Sequence, residues 1–152
     1  MAKRYFEDFK AGDRFTGGSA DVPEEAIVAF ARAFDPQPFH TDREGARASM
    51  FGELVASGWH TAAITMRLFA TSEIGIVNGI IGGGVEQLSW PRPVRPGDRL
   101  TVRCEILETR PSRSKPDRGM LKVRVETLNQ HGEPVQSFIG SLVALRRNST
   151  TS

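Results

Sequence analysis

From Trp59 to Ile76 the chain reads WHTAAITMRLFATSEIGI. Ala62, Ala63, Ile64, Met66, Leu68, Phe69, Ala70, Ile74 and Ile76 occupy most of the circumference of a helix, and only Arg67 and Glu73 carry charge. A helix apolar nearly all round is expected to be buried. It falls short of the run of about 18 uncharged apolar residues that a membrane span needs, so other elements of the same chain must wrap it. A curved sheet is the available candidate.

The sequence after this segment reads as that sheet. Ile80 to Trp90 carries Gly82-Gly83-Gly84 and then Val85, Leu88 and Trp90. The glycines lack the Lys-Ser/Thr and following helix of a phosphate loop, and a strand running close to a ligand or to the central helix explains them better. Leu100, Val102, Cys104 and Ile106 alternate with polar residues, as do Leu121, Val123 and Val125, which is the pattern of half-buried strands. Asn129 to Gly132 reads as a hairpin turn, and Val135 to Leu145 as a long closing strand. Phe15 to Ser19 adds a short strand near the start. Before the central segment, Asp21 and Glu24 resemble a capping box for a helix bearing Ile27, Val28, Phe30, Ala31 and Phe34. That helix should stop before Asp35-Pro36. A loop over Asp35–Asp42 and a short helix over Arg43–Met50 follow. Helices first and strands later indicate an α+β fold.

The 152 residues fit one domain over 1–152, with a core over about 9–146 and a polar tail at 147–152. Twenty basic and eighteen acidic residues give a net charge of +2, too small and dispersed for a nucleic-acid footprint. The start, MAKRYFEDF, has no apolar run like a signal peptide. One cysteine, Cys104, excludes an intramolecular disulfide and Cys-rich metal sites within one chain; it reads as inert strand packing, and a reduced, cytoplasmic setting fits. Three scattered histidines form no metal site.

Two residues stand out chemically. Asp35 and His40 lie in the proline-stiffened run Asp-Pro-Gln-Pro-Phe-His, where a carboxylate and an imidazole can share work on one water. On spacing alone, Asp35 as a turn cap and His40 as a surface loop residue is the favoured reading. Gly58, at the head of the central helix, reads as a helix-start glycine needed for packing. His60 reads as a core histidine with satisfied hydrogen bonds, or as a pocket residue. The basic residues Arg92, Arg95, Arg110, Arg113, Lys115 and Arg118 read as a solvated rim, with attraction of a phosphate-bearing carrier as the alternative.

The run from Asp35 to His40, together with Ser57-Gly58 and the apolar helix, resembles the MaoC-like dehydratases, which include the (R)-specific enoyl-CoA hydratases. The resemblance extends over roughly Phe9 to Arg146. Asp35, Pro38 and His40 fall in register with the hydratase motif; Gln37 stands where Asn is usual, and Phe39 where an aliphatic residue is usual. Ser57 replaces a common His, and Thr65 is the only hydroxyl near the place of a helix serine. The resemblance implies a hot-dog fold, an antiparallel sheet wrapped around one long helix, with a helical overhang. It implies Asp35 and His40 as the catalytic pair, Gly58 N–H as oxyanion donor, and Gln37, Phe39, Ser57, Trp59 and His60 as pocket candidates. The implied substrate is an acyl thioester of coenzyme A or acyl carrier protein, as in fatty acid metabolism, with no cofactor besides the substrate's own coenzyme A. A hot-dog thioesterase and a non-catalytic acyl-binding module are the alternatives. Exposed sheet edges call for a homodimer or higher homo-oligomer.

Overall fold

The structure is a computed structural model that describes residues 3–147, so the expected tail lies outside the described residues from 148 onward. One turn of 3-10 helix (Phe6–Asp8) precedes β1 (Arg14–Asp21), α1 (Glu24–Phe34), α2 (Pro38–Thr41), α3 (Arg43–Arg47), α4 (Gly58–Ala70), β2 (Ile81–Ser89), β3 (Arg99–Pro111), β4 (Arg118–Leu128) and β5 (Pro134–Leu145). The five strands form one sheet in the order β1-β3-β4-β5-β2, antiparallel throughout. The sheet curves around α4, and α1 to α3 form the overhang beside it. This is the hot-dog arrangement.

Alternation in the strands decides which face meets the helix. Leu100, Val102, Cys104 and Ile106 of β3 and Leu121, Val123 and Val125 of β4 are buried against Leu68 and Phe69 of α4. Burying each of the larger aliphatic side chains stabilises the fold by roughly 1.5–3 kcal/mol. The expected hairpin turn is present: Gly132 N–H donates to the Asn129 carbonyl, and Gly132 takes a positive φ of 76° that suits glycine.

Five local expectations are corrected. The central helix ends at Ala70 rather than Ile76, because Thr71 and Ser72 turn their hydroxyls back onto the Arg67 and Phe69 carbonyls. Ile74 and Ile76 are still buried, but in irregular chain. Burial of α4 is one-sided: Trp59 and Met66 are 57% and 43% exposed, because one sheet covers one face. Asp21 is no helix cap. It pairs with Arg99 at the end of β1, and Pro23 occupies the N-cap without a side-chain bond. The loop over Asp35–Asp42 contains the helical turn α2, and the short helix after it stops at Arg47. The glycines of β2 do not approach the helix: a Cβ on Gly82 or Gly84 would meet nothing within 4 Å, since β2 is an exposed edge strand.

Candidate active site

The site is assembled where three helix ends meet. Pro36 stops α1, leaving Asp35 at its C-cap with its N–H on the Ala31 carbonyl at 2.8 Å. Pro38 then starts α2, where its missing N–H costs nothing, and this turn carries His40 inward. Asp42 caps α3 by accepting the N–H groups of Glu44 and Gly45. The segment leading to α4 runs alongside, with Val55 N–H donating to the Phe39 carbonyl at 3.1 Å.

His40 and Asp35 face each other. His40 Nδ1 lies 2.7 Å from the Val55 carbonyl, which can only accept, so Nδ1 carries the proton and Nε2 presents its lone pair in the neutral ring. That Nε2 is 3.4 Å from Asp35 Oδ2. The spacing suits a water seated to one side and bonded to both. Both side chains are largely sheltered, with 7% and 18% of their surface exposed.

Two neighbours fix Asp35. The Ser57 hydroxyl donates to Oδ2 at 2.7 Å, and the Gln37 amide donates to Oδ1 at 2.8 Å. The Ser57 bond is the main cause holding the Asp35 carboxyl below the usual carboxylate range; burial opposes it, and Gln37 and His40 reinforce it. Asp35 is therefore ionised at neutral pH. The same Ser57 oxygen accepts Trp59 N–H at 3.2 Å and so caps α4, tying the carboxylate to the head of the helix.

Gly58 is the first residue of α4. Among the described residues its N–H meets no acceptor, and the helix dipole adds positive potential there. Its packing is equally specific: a Cβ would lie 2.6 Å from Trp90 Cε2 and 2.7 Å from Cδ2. Both sequence readings of Gly58 therefore have a structural counterpart.

An open cleft of about 460 Å³ borders this point, lined by Phe39, His40, Phe51, Gly58, Thr61 and Trp90 together with the Pro91–Val94 turn. Of the five pocket candidates, Phe39 lines it. Gln37 and Ser57 act on Asp35 instead. Trp59 points outward, edge-on to Trp90 with ring centroids 5.1 Å apart. His60 lies outside the lining and stacks on Phe30 at 4.8 Å. It is buried as expected for a core histidine, but its Nδ1 has no hydrogen-bond partner among the described residues, and burial lowers its pKa. Thr65 is buried in hydrogen bonds with Thr61 and Thr127.

Sequence reasoning missed Phe51, Thr61 and Trp90 as cleft residues. Trp90 carried a signal, an aromatic at the end of a strand and just before two prolines. Half of the basic rim is engaged: Arg92, Arg95 and Arg118 pair with Glu133, Glu53 and Asp117. Cys104 is buried, and desolvation pushes its thiol up to about 11. No group of three or more potential metal ligands stands together among the described residues.

Comparison with known proteins agrees with the fold. The family described as MaoC like domain matches residues 9–128. A crystal structure of a MaoC-like dehydratase from Rhodospirillum rubrum superposes with a TM-score of 0.91 at 53% identity, covering 95% of this chain and 98% of that one. The unliganded R-hydratase PhaJ1 from Pseudomonas aeruginosa superposes at 0.70 with 27% identity, over 94% and 86% of the two chains. The protein YdeM of Bacillus subtilis is 33% identical over 139 residues, 91% of this chain and 96% of its own length.

Proposed function

The chain belongs to the MaoC-like domain family, and on that footing we propose that it is an acyl-thioester hydratase or dehydratase in which Asp35 and His40 act together on one water. The observation that carries this reading is the pairing of His40 Nε2 with Asp35 Oδ2 at 3.4 Å beside the head of α4.

In the hydration direction a water sits against both groups. Asp35, ionised, accepts one of its O–H bonds and orients it. His40 Nε2 takes the other proton as the water oxygen forms a bond to C3 of a trans-2-enoyl thioester. The C2–C3 double-bond electrons move toward the carbonyl, and charge builds on the thioester oxygen. Gly58 N–H, backed by the α4 dipole, receives that charge. His40 then returns its proton to C2, giving the 3-hydroxyacyl thioester. Dehydration runs the same steps backward. Gln37 and Ser57 are positioning residues that hold Asp35.

The carrier is coenzyme A or acyl carrier protein, and the working molecule is a homodimer or larger homo-oligomer. Edge strand β2 pairs only with β5 and exposes Ile81 and Val85, while the uncovered side of α4 exposes Trp59 and Met66. A second copy on this face would satisfy both.

The alternatives have less support. A thioesterase would use a carboxylate on or near α4; Glu73 lies past the far end of that helix and accepts from Thr16, so Asp35 would have to be reassigned to that role. A non-catalytic module is favoured by a closed pocket or a separated pair, and the cleft is open with the pair facing. The test is hydration of a panel of trans-2-enoyl-CoAs by the wild type, Asp35→Asn and His40→Gln. Turnover that falls by about 10²–10⁴-fold in both variants supports the reading; equal rates in all three overturn it.

A further inference from the structure

Behind the cleft the otherwise apolar interior between α4 and the sheet holds one small polar cluster whose hydrogen bonds are matched. Gln136 of β5 is fully buried. Its Oε1 accepts the Trp90 indole N–H at 2.8 Å, and its Nε2 donates to Thr65 Oγ1 at 3.1 Å. Thr65 donates onward to the Thr61 carbonyl at 2.8 Å and lies 2.6 Å from the Thr127 hydroxyl, which then donates to it. One proton and two acceptor positions of the Thr65 hydroxyl are all used.

Trp90, 39% exposed, is the outer end of this chain of bonds and the wall of the cleft that stands in front of Gln136. Three features place it. The β2–β5 register shifts between Glu86 and Ser89, and within that irregularity Gln87 takes the left-handed φ of 54°. A non-glycine residue in that region is strained, and bulges of this kind re-aim the side chains beside them. The indole lies flat against the Cα of Gly58, where a Cβ would collide with it. The Gln136 bond then fixes its inward edge.

We propose that Trp90 is a specificity-determining residue that limits the acyl group to short chains, the butenoyl and hexenoyl class. It rests on the hydratase reading for the reaction, though not for the shape of the site. A butenoyl group needs space only beside Gly58 and His40. A longer chain has two ways to go. Inward, it must displace the indole, break the Trp90–Gln136 bond and lay methylenes against buried amide and hydroxyl groups left without partners. Outward, it lies along Phe39 and Phe51 at the open mouth, where its methylenes stay partly wet and gain little.

The experiment measures kcat/KM of the wild type, Trp90→Ala, Trp90→Phe and Gln136→Leu with trans-2-butenoyl-, hexenoyl- and decenoyl-CoA. In parallel, calorimetry compares binding of the saturated butanoyl- and decanoyl-CoA. The wild type is expected to favour butenoyl over decenoyl by about tenfold or more, the scale at which pockets discriminate methylenes. Trp90→Ala should reduce that preference by a similar factor, through a lower KM for decenoyl-CoA. Trp90→Phe and Gln136→Leu should shift it part of the way, and they decide the matter if the alanine variant does not fold. Equal use of decenoyl- and butenoyl-CoA by the wild type overturns the proposal, as does an unchanged preference in every folded variant. If the wild type hydrates none of the three, the hydratase reading fails, and the binding ratio still decides the role of Trp90.

Discussion

Gly58→Ala is the substitution whose consequence is most directly set by the structure. The added Cβ would lie 2.6, 2.7 and 2.9 Å from Cε2, Cδ2 and Cζ2 of Trp90. Carbon pairs prefer about 3.5–4.0 Å, so either the ring or the helix must move. The ring cannot swing away without stretching its 2.8 Å bond to Gln136. Overpacking of this kind costs about 1–3 kcal/mol. Alanine recovers at most ~1 kcal/mol over glycine in a helix interior, and less in the first turn. The net loss is about 1–2 kcal/mol, and at roughly 2–4 °C per kcal/mol for a chain of this size Tm should fall by roughly 2–8 °C. Thermal unfolding followed by circular dichroism measures it. The decisive comparison is the double variant: in a Trp90→Ala background the collision is gone, so Gly58→Ala should become neutral or slightly stabilising. An unchanged Tm in the single variant, or an equal penalty with and without Trp90, would refute the reasoning.

Other consequences follow from the same geometry. Asp35 acts ionised, so activity should fall as pH drops through its pKa. Because Ser57 is the main cause of the lowered value, Ser57→Ala should raise the Asp35 pKa, read directly from the carboxyl carbon by NMR titration, and an unmoved Asp35 titration would contradict that role. The same depression means that Asp35 adds stability above its unfolded pKa, which is lost as pH falls through the folded one; acid unfolding of Asp35→Asn should lack that component. His60→Phe removes a buried nitrogen that has no partner and keeps a ring for Phe30, so Tm should hold or rise slightly; a drop of several degrees would reveal a hidden partner for His60. Cys104, buried with its thiol pushed up to about 11, should react with a thiol reagent only on unfolding; fast labelling of the native protein would contradict its placement.

The parts of this molecule that could be read from sequence are those in which one local signal decides. Strand alternation placed Leu100 to Ile106 and Leu121 to Val125 on the helix-facing side, and Asp35-Pro36 ended α1 where proline sterics require. Asp35 and His40 were legible through the resemblance of their run to the hydratase motif; spacing alone favoured a turn cap and a surface histidine, and the fold brings the two side chains to 3.4 Å. Other features depend on long-range contacts that leave little local trace. Asp21 satisfied both a cap pattern and a strand, and pairing with Arg99 prevailed. The apolar circumference of α4 suggested complete burial, but the number of strands in one chain limits what can be covered. Gln136 gave no sign of its role: it sits beside Val135 at the start of β5, and both are buried, so simple alternation does not describe that end of the strand. Its partners Trp90 and Thr65 lie 46 and 71 residues away in the chain.

The central claim, that Asp35 and His40 act on a water beside the head of α4, is tested most directly by a crystal structure of Asp35→Asn with 3-hydroxybutanoyl-CoA bound. The thioester oxygen should lie within hydrogen-bond distance of Gly58 N, and the C3 hydroxyl should sit between His40 Nε2 and the side chain at position 35. A thioester bound away from Gly58, or a C3 hydroxyl out of reach of His40, would contradict it.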